Sequence, residues 1–115
     1  MVHQLQVSVV TPVYNGEKYL GPCIESALAQ THTNLEFIIL DNASTDDTNV
    51  IAAAYARKGP RIRLHRNDQT LPVIQNWNRA LELISPEGKY VRILHADDLM
   101  YPTCLEKCVA VAQRH

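Results

Sequence analysis

Lys89-Tyr90-Val91-Arg92-Ile93-Leu94-His95-Ala96-Asp97-Asp98 decides how the rest of the chain is read. A largely apolar run ends abruptly in two adjacent carboxylates. Unpaired charge is costly inside a buried strand, so the acidic pair marks a strand end and an edge of the sheet. Two further stretches have the same form. One is Leu35-Glu36-Phe37-Ile38-Ile39-Leu40 with Asp41-Asn42 after it; the other is Gln6-Val7-Ser8-Val9-Val10-Thr11-Pro12 with Val13-Tyr14-Asn15-Gly16 after it. In open α/β sheets, ligands sit outside the carboxyl ends of the strands. Three strands that each finish in oxygen-bearing residues predict one cleft, lined with carboxylates, along one edge of one sheet.

Between these runs the apolar spacing becomes helical. Glu17 to Gln30 carries Leu20, Ile24, Ala27 and Leu28 on one stripe, with Pro22 early enough to be tolerated. Pro12 is expected to end the first strand at Thr11, because it cannot donate to a ladder. Ser44 or Thr45 is expected to cap a second helix that runs to about Arg57 and stops before Gly59-Pro60. Arg61 to His65 alternates like an edge strand. Val73 to Ile84 reads as a third helix with Ile74, Trp77, Leu81 and Ile84 inward. Thr103 to about Gln113 reads as a fourth, with Leu105, Val109 and Ala112 on one side. The resulting βαβαβαβα order predicts an α/β fold, a mainly parallel sheet joined by right-handed crossovers. With strand one central, the order is 3-2-1-4 and the switch point falls between strands one and four. Pro12 to Asn15 then faces His95 to Asp98 across a crevice, with Asp41 beside them.

The 115 residues suit a single domain spanning 1–115. A formal net charge of −1 without a basic patch argues against nucleic acid as a partner. No apolar stretch approaches the roughly 20 residues of a membrane span, and no signal peptide is expected before the first strand. Cys23, Cys104 and Cys108 lack the paired spacing of a disulfide framework. Together these features lead to an expectation of a reducing, cytoplasmic compartment, with any membrane contact peripheral. Cys104 and Cys108, four apart on a helix, read as core thiols in preference to metal or redox groups.

Carboxylates gathered at strand ends repel a polyphosphate unless a divalent cation lies between them. Neighbours in an extended chain point to opposite sides, so one aspartate of Asp97-Asp98 suits a cation and the other a sugar hydroxyl or ligand water. A hard-oxygen site that shares its ion with a diphosphate suits Mg2+ or Mn2+. The same pair reads equally as a cap on the last helix that binds nothing. Asp41-Asn42 reads as a turn, or as an acceptor for the N–H of a base. His95 reads as structural, or as a group within reach of a phosphate or metal. Trp77 reads as a core anchor rather than a stacking platform.

Three motifs, Val9-Val10-Thr11-Pro12-Val13-Tyr14-Asn15, Ile39-Leu40-Asp41-Asn42-Ala43-Ser44-Thr45-Asp46 and Ile93-Leu94-His95-Ala96-Asp97-Asp98, resemble the signatures of family 2 glycosyltransferases in order and spacing. The resemblance covers residues from about 6 to 110. It implies the GT-A fold, a Rossmann-like domain that binds a nucleotide-diphosphate sugar and a divalent metal, Mn2+ or Mg2+. By position, Pro12, Val13 and Tyr14 would line the base and ribose pocket, with Asn15 at its turn. Asp41 would contact the base, Asp97 the ribose or sugar, and Asp98 the metal. Three positions depart from the pattern: Asn42 replaces a second acid, His95 replaces the first acid of an Asp-x-Asp, and residues 69 to 78 hold no Arg or Lys.

The resemblance implies an inverting glycosyltransferase of cell-wall or polysaccharide biosynthesis, represented here by its donor-binding half. The family's catalytic base is a carboxylate further downstream, so no catalytic residue is assigned in this chain and the 115 residues alone are expected to be inactive. Surface left bare by the missing half is expected to favour self-association. The alternatives are a non-catalytic nucleotide-binding module and a receiver-type phosphoacceptor domain.

Overall fold

Four parallel strands, each followed by a helix, make up the described part of the computed structural model, residues 6–113. Residues 1–5 and 114–115 of the expected 1–115 domain lie outside the described residues. The elements are β1 (Val7–Val13), α1 (Leu20–Leu28), β2 (Leu35–Asp41), α2 (Thr48–Lys58), β3 (Ile62–Arg66), α3 (Val73–Glu82), β4 (Tyr90–Ile93) and α4 (Cys104–Gln113). The sheet order is β3-β2-β1-β4, the order expected with strand one at the centre. A receiver-type domain would place β3 beside β1. Here β1 pairs with β2 and β4, and this topology removes that alternative.

The period of two along the strands divides the interior into two layers. Val7, Val9, Val13, Phe37 and Ile39 pack against Leu20, Cys23 and Ile24 of α1, Ala52 of α2, and Leu105 and Val109 of α4. Val10, Ile38 and Leu40 face the other way, onto Ala80 of α3, with Leu83 and Ile84 at the margin. Passages running toward β3 lay their helices on one face, and the return passage to β4 lays α3 on the other. Right-handed crossovers require this arrangement. Among the described residues, no helix is long and apolar enough to cross a membrane.

Several local expectations are corrected. β1 continues through Pro12 to Val13 because β4 no longer pairs there: the β1–β4 register ends at Val10 opposite Ile93. The missing proline N–H would have donated to Leu94 O, and the Thr11 hydroxyl takes that carbonyl instead, at 2.7 Å. Helix α1 begins at Leu20, so Pro22 occupies its third position, where an N–H has no intrahelical acceptor. Helix α2 begins at Thr48, and neither Ser44 nor Thr45 caps it. Asp46 Oδ1 accepts the Thr48 N–H at 2.9 Å, while Ser44 and Thr45 bond the loop after β1.

Helix α3 is rotated from its expected face. Ile74 is 76% exposed and Leu81 41%, while Asn76 and Ala80 are buried. Small Ala80 allows close approach to the sheet, and Asn76 is drawn inward by a hydrogen bond from Asn67. Cys108 is exposed and Cys104 half-buried, because α4 buries Leu105 and Val109 instead. The core thiol is Cys23 instead.

Candidate nucleotide-sugar site

The register brings Val13, Asp41 and Arg66 into one row at the carboxyl edge of β1, β2 and β3. Two loops then rise from β1 and β2 and are fastened to each other. The Asn15 N–H donates to Ser44 Oγ at 2.8 Å, and the Thr45 N–H donates to Asn15 Oδ1 at 2.8 Å. The Gly16 N–H donates to Thr48 Oγ1 at 2.8 Å. Asn15 and Ala43 take left-handed φ values of 50° and 57° to make this exchange. Asn suits such a position; Ala does so at a cost that the loop bonds offset. Gly16 is required by closeness, since a Cβ there would lie 2.6 Å from Val13 Cγ2.

Asp41 is fully buried, at 0% exposure. Its Oδ1 accepts the Ser44 N–H at 3.0 Å. Its Oδ2 has no hydrogen-bond partner, and the nearest cation is Arg66, with Nη1 at 3.8 Å. A buried acceptor without a donor is uncommon and costly, which marks Oδ2 as an atom with capacity for a further donor. Asn42 beside it is fully employed. Its Oδ1 accepts from Asn67 Nδ2 at 2.9 Å and from the Leu71 N–H at 2.8 Å, and its Nδ2 donates to Leu71 O at 2.9 Å. Asn67 also donates to Asn76 Oδ1 at 2.7 Å and accepts from Arg79 Nε at 2.9 Å. A carboxylate at position 42 could not donate to Leu71 O, so the departure from two acids has a structural role: it ties the β3–α3 loop to β2.

Two hollows flank Tyr14, which is 50% exposed. The larger, about 290 Å³, lies between the turn after β1 (Pro12 to Gly16) and the turn after β4 (His95 to Asp97). The smaller, about 140 Å³, lies between Pro12 to Tyr14 and Asn42, Asn76 and Trp77. His95 lines the larger and Trp77 the smaller, and the two rings meet with centroids 5.1 Å apart and planes at 48°. The turn after β4 is held from below: His95 O accepts the Asp98 N–H at 3.0 Å and the Cys23 thiol at 3.5 Å. Burial pushes that thiol up to about 11, and the negative charges of Asp98 and Asp97 act in the same direction. A hollow of about 430 Å³ between α1 and Leu99 to Pro102 is mainly apolar. Its one carboxylate, Glu25, accepts from the Tyr55 hydroxyl at 2.7 Å.

Pro12, Val13 and Tyr14 line both hollows. Asn15 and Asp97 line the larger, with the Asn15 side chain turned to the loop after β2. Asp41 lies beneath the surface and lines neither hollow. Asp98 is exposed in the same turn and does not line the larger hollow. Among the described residues, no group of three or more His, Cys, Asp or Glu side chains is placed to hold a metal. That donor set suits a cation carried on one or two carboxylates and completed by ligand oxygens and water, not a protein cage. Sequence reasoning missed Arg66, Asn67, Asn76 and Arg79. The available signal was Asn67 immediately after a strand, the position of a turn-forming amide that can also bond neighbouring loops.

The sequence profile of glycosyl transferase family 2 matches residues 8–115. The uncharacterized glycosyltransferase YibD of Escherichia coli K12 is 39% identical over 108 residues, which cover 93% of this chain and 30% of YibD. A crystal structure of Staphylococcus aureus TarS 1-349 in complex with UDP-GlcNAc superposes with a TM-score of 0.84 at 27% identity, covering 96% of this chain and 32% of that one. The mannosyltransferase PcManGT from Pyrobaculum calidifontis, in complex with GDP-Man and Mn2+, gives 0.77 at 27% identity, covering 91% and 31%. The chain spans about a third of the length of the first curated relatives it matches. Profile, relatives and GT-A architecture agree on one assignment, and this chain belongs to glycosyltransferase family 2.

Proposed function

We propose that this chain forms the donor-binding half of an inverting glycosyltransferase and holds a nucleoside-diphosphate sugar between the turns after β1 and β4. The observation that carries the reading is a two-part hollow at the switch point of a parallel sheet, with a buried Asp41 oxygen that has no hydrogen-bond partner on the strand residue beside its Val13 wall. TarS and PcManGT, solved with UDP-GlcNAc and with GDP-Man and Mn2+, support a nucleotide sugar as the ligand class. In this reading Pro12, Val13 and Tyr14 hold the base and ribose, and Asn15 fixes the turn that shapes their pocket. Asp41 Oδ2 accepts a base N–H, Asp97 a sugar hydroxyl, and Asp98 holds a divalent cation, Mn2+ or Mg2+. A bound cation supplies neutralisation of the charge that develops on the departing nucleoside diphosphate. Inversion requires in-line attack by an acceptor hydroxyl and a base to take its proton. Glu106, the acid that follows Asp98 in sequence, is no candidate for that base, because it lies on α4 and accepts from Thr31 Oγ1 at 3.1 Å.

Calorimetric titration with UDP, GDP and ADP, with Mn2+ and with EDTA, tests this. Binding is expected to strengthen in Mn2+. Asp98→Ala is expected to remove that increment, about 2 kcal/mol for a lost charged contact. Equal affinity of parent and Asp98→Ala in Mn2+ would sink the metal assignment, and no binding to any nucleotide would sink the donor site.

A further inference from the structure

We infer that the His95 imidazole, braced against Trp77, donates an N–H to a phosphate oxygen of the bound nucleotide. This rests on the donor-site reading above and assigns a role to the residue that replaces an acid in the motif after β4. A diphosphate entering the 290 Å³ hollow meets an anionic wall, for Asp97 lines it and none of the lining residues is Lys or Arg. His95 is the lining side chain with a nitrogen donor to offer there other than the amide of Asn15, and that amide is directed at Thr45 Oγ1 at 3.3 Å. His95 is exposed. Its position is held at three points: Trp77 at 5.1 Å from the ring, and the Asp98 N–H and Cys23 thiol on the backbone carbonyl. A ring that rests on Trp77, carried on a backbone held at its carbonyl, loses less freedom on meeting a ligand than one on an unbraced turn. An imidazole carries at least one N–H donor in either protonation state.

A rival cation is Lys18, whose ammonium lies over the Tyr19 ring at 5.5 Å, and Tyr19 lines the same hollow. Trp77 is the sole tryptophan and touches His95, so its fluorescence reports on the pair directly.

The test compares a nucleoside with its diphosphate, in EDTA and in Mn2+, for the parent, His95→Phe, His95→Gln and Lys18→Met. His95→Phe is expected to weaken the diphosphate about tenfold under both conditions and leave the nucleoside unchanged, since a hydrogen bond to a charged group is lost. His95→Gln, which keeps an N–H donor, is expected to recover part of that loss, and Lys18→Met none of it to lose. Trp77 emission is expected to shift with the diphosphate in the parent and not in His95→Phe. Equal losses for nucleoside and diphosphate would make His95 structural and overturn the inference. So would a loss confined to Mn2+, which would make it a metal ligand, or a loss that follows Lys18. A parent that binds neither compound overturns the donor-site reading itself.

Discussion

At the scale of single residues, the site depends on the difference between Asp41 and Asn42. One is buried with an oxygen to spare, and the other has every polar atom occupied. Changing Asp41 to Asn preserves the Oδ1 that holds the Ser44 N–H and turns the spare acceptor into a donor. Nucleoside diphosphate affinity is expected to fall about tenfold in EDTA, with the urea midpoint little changed. Unaltered binding by Asp41→Asn would return this residue to a turn-forming role. The departure from two acids at 41 and 42 was visible in the sequence, but its purpose was not. Asn67 and Asn76, which explain it, lie 25 and 34 positions further on by their numbering, and no local rule links amides across such a distance.

At the scale of elements, Thr11 lets a proline sit inside a strand. Its hydroxyl fills the place at Leu94 O that the ladder would have given to the N–H of residue 12. Thr11→Val keeps the shape and leaves a buried carbonyl unpaired, which is expected to cost about 1–3 kcal/mol. Thr11→Ser is expected to lie close to the parent. Denaturant unfolding of the two variants distinguishes them; if Val is tolerated as well as Ser, another donor serves Leu94. The same contact bears on function, since it joins the end of β1 to the segment leading into His95 and Asp97. Helix α3 shows the opposite balance. Its apolar residues at 74, 77, 81 and 84 outline a plausible inner stripe, yet a buried amide network and a small alanine set its rotation. Burying Asn76 against its partners satisfies groups that would otherwise be costly to bury.

Across the whole molecule, the two faces of the sheet are unequal. Three helices cover one and α3 alone covers the other, which leaves Val73, Ile74 and Leu81 exposed. The cysteines report on this packing. Cys23 is buried beneath the acidic turn with its thiol raised to about 11 by burial, and Cys108 is exposed on α4. Thiolate is the reactive form, so iodoacetamide at pH 8 is expected to label Cys108 first, Cys104 more slowly and Cys23 only after unfolding. Peptide mass spectrometry follows the order. Labelling of Cys23 at the rate of Cys108 in the native protein would contradict the packing of α1 beneath the turn after β4.

The sequence by itself determined the alternation of strands and helices, the parallel pairing, and the polar residues at the strand ends; the strand order 3-2-1-4 followed only once strand one was placed at the centre, which the structure shows. The first three follow from periodicity, from the cost of charge within a strand and from the handedness of crossovers, all of which act over short stretches of chain. Tertiary structure alone decided which face α3 buries, that Pro12 remains in β1, and that Asp41 rather than Asn42 keeps a free oxygen. It also decided that Trp77 meets His95 instead of the core. Each of these depends on a hydrogen bond or ring contact between residues distant in sequence, and such pairings exist only once the sheet has brought their elements together.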